Sequence, residues 1–197
     1  MLTSNDICNK ARSIASEKTM YVKGGTGVLL NKQNKLRFCS NNAFNIKRTS
    51  IISAASEDTR AFDEFGFLAA ISGYNCRTIG EVAALCDDIS KDFSTIVPGE
   101  VVFMKDRFGI FVGNGKVIAA DAIGIGETIL DGWVSHGKLP EVDYEVDYDK
   151  LYEETTNAER EVDRDVEESS EDKDTEVNTE EKAPEVAVRP SSFRRRH

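Results

Sequence analysis

The run "GEVVFMKDRFGIFVGNGKVIAADA", residues 99–122, constrains the fold more than any other part of the chain. It holds three short β-branched and aromatic segments, "GEVVFMK", "RFGIFVG" and "KVIAADA", each of strand length. Between the last two stands Gly113-Asn114-Gly115. Asn-Gly flanked by such runs marks a hairpin, because both residues tolerate the positive φ that a tight two-residue turn requires. The segment "ETILDGWVSHGKLPEVDY" adds one or two further strands around Trp133. The second half of the chain therefore predicts an antiparallel sheet.

The first half has a different period. Thr3 and Asp6 stand in capping-box spacing, which places a helix start near Ser4. Ile7, Ala11, Ile14 and Ala15 then recur on one face of that helix, and Gly24, Gly25 and Gly27 lie beyond its end. Residues 28–60 are polar and irregular, and read as a long loop with short elements. A second helix is expected over residues 61–73, with Phe62, Phe65, Leu68 and Ala69 inward and Asp63 as its N-cap. Thr78 and Glu81 repeat the capping spacing before a short helix through Val82, Leu85, Cys86 and Ile89. Helices followed by clustered antiparallel strands predict an α+β domain, with no internal repeat.

Charge divides the chain in two. Residues 1–140 carry 16 Lys/Arg against 15 Asp/Glu, whereas residues 141–197 carry 9 against 20. The expected organisation is one folded domain over residues 1–150 and an acidic, low-complexity tail over 151–197 that ends in "RPSSFRRRH". Such a tail buries too little apolar surface to offset its chain entropy, so it is expected to be disordered and to act as an interaction arm. Direct nucleic-acid binding is disfavoured, since residues 1–140 show no basic stripe and the tail repels phosphate. No apolar run is long enough to span a bilayer, so no membrane partner is expected, and no secretory leader is evident; the expected location is the cytoplasm of the producing cell. The four cysteines form no C-x-x-C pair and there are only two histidines, so neither a metal nor a cofactor is expected.

Several short motifs, in order, resemble the NlpC family of papain-like cysteine peptidases, which cut peptide bonds in bacterial cell walls. Tyr21, Gly24 and Gly25 match its Tyr-x-x-Gly-Gly. Pro98, Gly99, Glu100, Val101, Val102 and Phe103 match its Pro-Gly-acid-apolar-apolar-Phe segment, and "RFGIFVGNG" matches its His-apolar-Gly-Ile strand and turn. The ending "GWVSHGKLPEVDY" looks like that of phage lysins of Gram-positive bacteria, in which the histidine has a packing role. The resemblance covers about residues 3 to 148 and implies a papain-like fold with N-terminal helices on a small antiparallel sheet.

The same alignment implies that the chemistry is missing. The family's nucleophilic cysteine falls on Glu64, its general-base histidine on Arg107, and its orienting polar residue on Ala119. Glutamate is a poor nucleophile toward amides, arginine stays protonated, and alanine orients nothing. An anion at a helix start facing a cation would preserve the charge pattern of a thiolate–imidazolium pair, so a Glu64–Arg107 salt bridge is predicted. A relocated cysteine–histidine pair using Cys39 and His136 is the alternative, since Cys76 is expected past the far end of the helix.

Three functions follow as expectations. The first is a non-catalytic pseudo-peptidase of phage origin, a virion component or a binder of a cell-wall peptide, with a groove lined by Tyr21, Lys23, Asp63, Glu64 and Arg107. That groove is either open or filled by residues 28–60. The second is a divergent cell-wall hydrolase, and the third an intracellular regulator acting through the acidic tail. A protein partner or a cell-wall peptide is expected for the first.

Overall fold

A computed structural model describes residues 1–144. The expected domain end at 150 and the tail with its basic terminus lie outside the described residues. The architecture is α+β, as the change of period requires. Strand β1 (Leu2–Thr3) runs into helix α1 (Ser4–Ser16), whose N-cap Thr3 and Asp6 complete a reciprocal capping box. Strands β2 (Thr19–Tyr21), β3 (Thr26–Leu29) and β4 (Arg60–Phe62) form a small sheet in the order β2-β4-β3, with β2 and β4 parallel. Helices α5 (Glu64–Ser72) and α6 (Ile79–Leu85) follow, then strand β5 (Asp87–Ser90) and a one-turn 3-10 helix at Phe93–Thr95.

The main sheet is antiparallel. It comprises β6 (Val101–Phe103), β7 (Phe108–Gly113), β8 (Lys116–Ala120), β9 (Ile125–Ile129) and β10 (Ser135–Lys138), in the order β5-β10-β6-β7-β8-β9. A final strand, β11 (Val142–Asp143), pairs parallel with β1. Asn114 (φ 50°) and Gly115 (φ 66°) make the two-residue turn between β7 and β8 that the dipeptide predicts.

Both faces of the sheet are covered, which is why residues 108–112 are buried without alternation. On one face Phe103, Phe108, Ile110 and Val112 pack with Ile7 and Ala11 of α1 and with Phe67, Leu68 and Ile71 of α5. On the other, Val102, Phe111, Val117 and Ala119 close around Trp133. A third cluster, Val22, Leu30, Phe38, Ile52 and Ala61, lies under the segment expected to be loop.

The short elements expected there are present as helices, and only the reading of the rest as a long loop is corrected. Residues 32–54 form three short helices, α2 (Lys32–Asn41), α3 (Ala43–Lys47) and α4 (Thr49–Ala54). Asn31 and Asn42 cap α2 and α3 by accepting backbone N–H bonds, so asparagines that read as loop residues are helix starts. The helix expected over 61–73 is also shorter, because Arg60–Phe62 pair as a strand and Phe62 enters the core from β4. The helix expected through Ile89 stops at Leu85, and Ile89 lies half-exposed on β5.

Candidate functional site

Helix α5 starts where the backbone of two other segments meets it. Asp63 is its N-cap, with Oδ1 accepting the Gly66 N–H at 2.8 Å and Oδ2 accepting the Gly24 N–H at 2.7 Å. The Asp63 N–H in turn donates to the Gly25 carbonyl at 3.0 Å. A Cβ on Gly66 would lie 1.9 Å from that same carbonyl oxygen, so only glycine allows the helix to sit this close to the Gly24-Gly25 turn. Gly66 is thus explained by its contact with the turn, Gly25 by the backbone of Ala61 and Phe62 against it, and Gly24 by its φ of 80°.

This closeness brings three polar side chains together. The Tyr21 hydroxyl donates to Glu64 Oε2 at 2.6 Å, and Lys23 Nζ donates to Glu64 Oε1 at 2.7 Å. Lys23 also lies 3.9 Å from Asp63 and 4.9 Å from the centroid of the Phe65 ring. Burial pushes the Glu64 carboxyl up, but the bonds from Lys23 and Tyr21 outweigh it and hold the group below its ordinary value. Burial, and then the hydrogen bond to the Glu64 carboxylate, raise Tyr21, which therefore stays a neutral donor. Each oxygen of Glu64 thus accepts one hydrogen bond from a neighbouring side chain.

The three short helices fix the position of Lys23. Asn45, fully buried on α3, receives the Lys23 N–H on Oδ1 at 3.0 Å and donates Nδ2 to the Lys23 carbonyl at 2.9 Å. Arg48 donates to the carbonyls of Tyr21 and Ala122, both at 2.8 Å, and its guanidinium lies over the Phe44 ring at 5.4 Å. Nothing in the sequence marks Asn45 or Arg48, because their partners are backbone atoms brought near only by folding. Beside α5 opens a cleft of about 350 Å³, lined by Lys23, Thr26, Asn41, Asn42, Phe65 and Arg77, with Cys76 on its wall. Of the residues expected to line a groove here, Lys23 and Asp63 line this cleft and Tyr21, Glu64 and Arg107 do not, while Asn41 and Asn42 of the 28–60 segment form part of its wall.

Of the residues expected at the site, Tyr21, Lys23, Asp63 and Glu64 come together, and Arg107 and Ala119 do not join them. The Glu64–Arg107 salt bridge is absent among the described residues: Glu64 pairs with Lys23, and the Arg107 guanidinium lies 4.9 Å from the centroid of the Trp133 ring. The physical reason is strand alternation. Phe108 packs its ring 5.8 Å from Phe65 of α5, so its neighbour Arg107 is directed to the opposite face, where Ala119 also packs against the Trp133 cluster.

Among the described residues the expected alternative, a Cys39–His136 pair, does not form either. His136 and Glu100 are each 2% exposed and bonded to one another, and His136 Nε2 donates to the Asp92 carbonyl at 3.0 Å. This pair joins β10 to the β6 entry and occupies both ring nitrogens. Cys39 neighbours Ser53 on α4, and no hydrogen bond joins a cysteine to His136 among the described residues. Cys76 is nearer the cleft than its spacing suggests, because α5 ends at Ser72 and Gly73 (φ 83°) turns the chain back. Burial and then the Glu81 carboxylate raise the Cys76 thiol, the reverse of what an activated nucleophile needs. No group of His, Cys, Asp and Glu fit to hold a metal occurs among the described residues. No helix among them is long and apolar enough to cross a membrane.

Compared with models of protein families the chain matches none, and no curated protein matches it either.

Proposed function

We propose that the chain is a non-catalytic binding module built on an NlpC-type, papain-like fold, of phage origin, whose cleft beside α5 receives a peptide of cell-wall type or of a virion partner. The observation that carries this reading is the state of Glu64. At the helix start to which the resemblance assigns a nucleophile stands a carboxylate with both oxygens held by Tyr21 and Lys23. A peptidase needs a nucleophile and a base in hydrogen-bond reach, whereas here the charged groups are spent on one another. The cleft offers two features of a recognition site: the aromatic ring of Phe65, and Arg77, whose guanidinium has no partner among the described residues. Arg77 suits a peptide carboxylate, which a guanidinium meets with two parallel N–H bonds.

The test is calorimetry of the full chain with a purified cell-wall stem peptide, run beside a cell-wall turbidity assay. Binding without turnover is expected, weakened about tenfold in Arg77→Ala, the loss of one charge-assisted contact. Clearing of cell walls would overturn the reading and restore the hydrolase.

A further inference from the structure

From residue 18 to residue 56 the sequence carries seven lysines and arginines and no aspartate or glutamate. The near-even charge of residues 1–140 conceals this segment. Folding neutralises two of the seven with carboxylates, Lys18 with Asp58 at 3.5 Å and Lys23 with Glu64 at 2.7 Å. Lys32, Lys35, Arg37, Lys47 and Arg48 have no ion pair among the described residues. Helices α2, α3 and α4 carry all five of these or flank them directly, and they also expose Leu36, Phe44, Ile46 and Ile51. A surface of one sign of charge beside exposed apolar side chains complements a segment that is acidic and apolar in turn.

Between α2 and α4 lies a groove of about 350 Å³, to which two of these cations, Lys32 and Lys35, and one of the exposed apolar side chains, Leu36, contribute, beside Cys39 and Ser53. Leu36 is 67% exposed at its edge. Lys35 spends two N–H bonds on the carbonyls of Ser53 and Ala55 at the end of α4, which leaves its third for an incoming acceptor. We propose that this groove docks an acidic amphipathic helical segment of a protein partner. The partner's apolar side chains pack over Leu36 and Cys39, and its carboxylates meet Lys32 and Lys35. Glu57 is the one carboxylate among the lining residues, so the segment carries a neutral or basic residue there.

Concavity favours a side-chain-bearing peptide over a flat anionic bilayer. The absence of an aromatic ring from the groove lining disfavours single-stranded nucleic acid, which binds by base stacking. This surface is distinct from the cleft beside α5, and the inference stands or falls independently of that site's ligand.

The experiment uses the full chain and immobilised helical peptides of about four turns, with leucines at i, i+3, i+4 and i+7 spacing and glutamates elsewhere. Retention is expected to weaken as salt is raised. It should fall about tenfold in Lys32→Glu and in Leu36→Glu, a change of about 1.4 kcal/mol each. Both side chains are exposed, so these variants keep the fold. Bound peptide should also slow alkylation of Cys39 while leaving Cys76 unchanged. The proposal is overturned by retention of none of the peptides, or by equal retention of a glutamate-only peptide. Displacement of the peptide by oligothymidylate or by phosphatidylglycerol vesicles at equal charge concentration overturns it as well, and replaces the protein partner by nucleic acid or lipid.

Discussion

At the scale of single residues, Glu64 shows how a carboxylate at a helix start can tie two segments together. Its side chain keeps 19% of its surface exposed and its partner Lys23 keeps 40%, so the pair is only partly withdrawn from water. Removing Lys23 leaves a half-buried anion with the Tyr21 hydroxyl alone. Lys23→Ala is therefore expected to cost about 1–2 kcal/mol, less than a fully buried pair because solvent screens the lysine. Urea denaturation of Lys23→Ala, Glu64→Ala and the double variant measures this, and additivity of the two single changes would refute the coupling. The pH dependence has a definite sign. Because the folded carboxyl lies below its ordinary value of 4.5, its contribution is complete above that value and is lost as pH falls through the lower folded one. Acid denaturation of Glu64→Gln should accordingly show a shallower loss of stability below pH 4.5 than the parent.

At the scale of elements, the decisive contact is that of α5 with the turn after β2. It depends on Gly66, whose missing Cβ lets the Gly25 carbonyl approach, and Gly25 in turn lies against the backbone of Ala61 and Phe62 in β4. Gly66→Ala gains helix propensity but requires backbone to move on both sides. A net loss of about 3 kcal/mol is expected, read from the shift in urea midpoint. If the substitution proves neutral, the close approach of helix and turn is not as described. The same contact explains why Tyr21 and Lys23, from one segment, reach Glu64 from another. It also gives Asn45 a role in positioning, since the carboxamide that grips the Lys23 backbone determines where the ammonium can reach.

At the scale of the molecule, depth in the apolar cores grades the chemistry of the cysteines: Cys8 and Cys86 lie within the cluster between the main sheet and α1 and α5, and Cys39 and Cys76 at cluster edges. Burial raises Cys8 to about 11 and Cys86 to about 12, while Cys39 and Cys76 are half-buried on groove and cleft walls. Iodoacetamide at pH 8 should therefore modify Cys39 and Cys76 well before Cys8 and Cys86, followed by peptide mass spectrometry; early labelling of Cys8 would contradict a closed core. Much of this architecture was legible beforehand. The hairpin at Asn114-Gly115, the capping box of α1 and the Asp63 cap are local, set by a few neighbouring residues whose backbone demands do not depend on the rest of the chain. The small sheet was not legible, because Arg60–Phe62 became a strand only by finding β2 and β3, residues distant in sequence. The three helices of residues 32–54 are likewise short, and their stability comes from the cluster around Phe38 and Ile52 rather than from their own periodicity. The sequence by itself determined the Asp63 cap that starts α5 and the Asn114-Gly115 turn, whose demands neighbouring residues meet. Only the tertiary structure decided which cation meets Glu64, because strand alternation turned Arg107 to Trp133 and the grip of Asn45 delivered Lys23 instead.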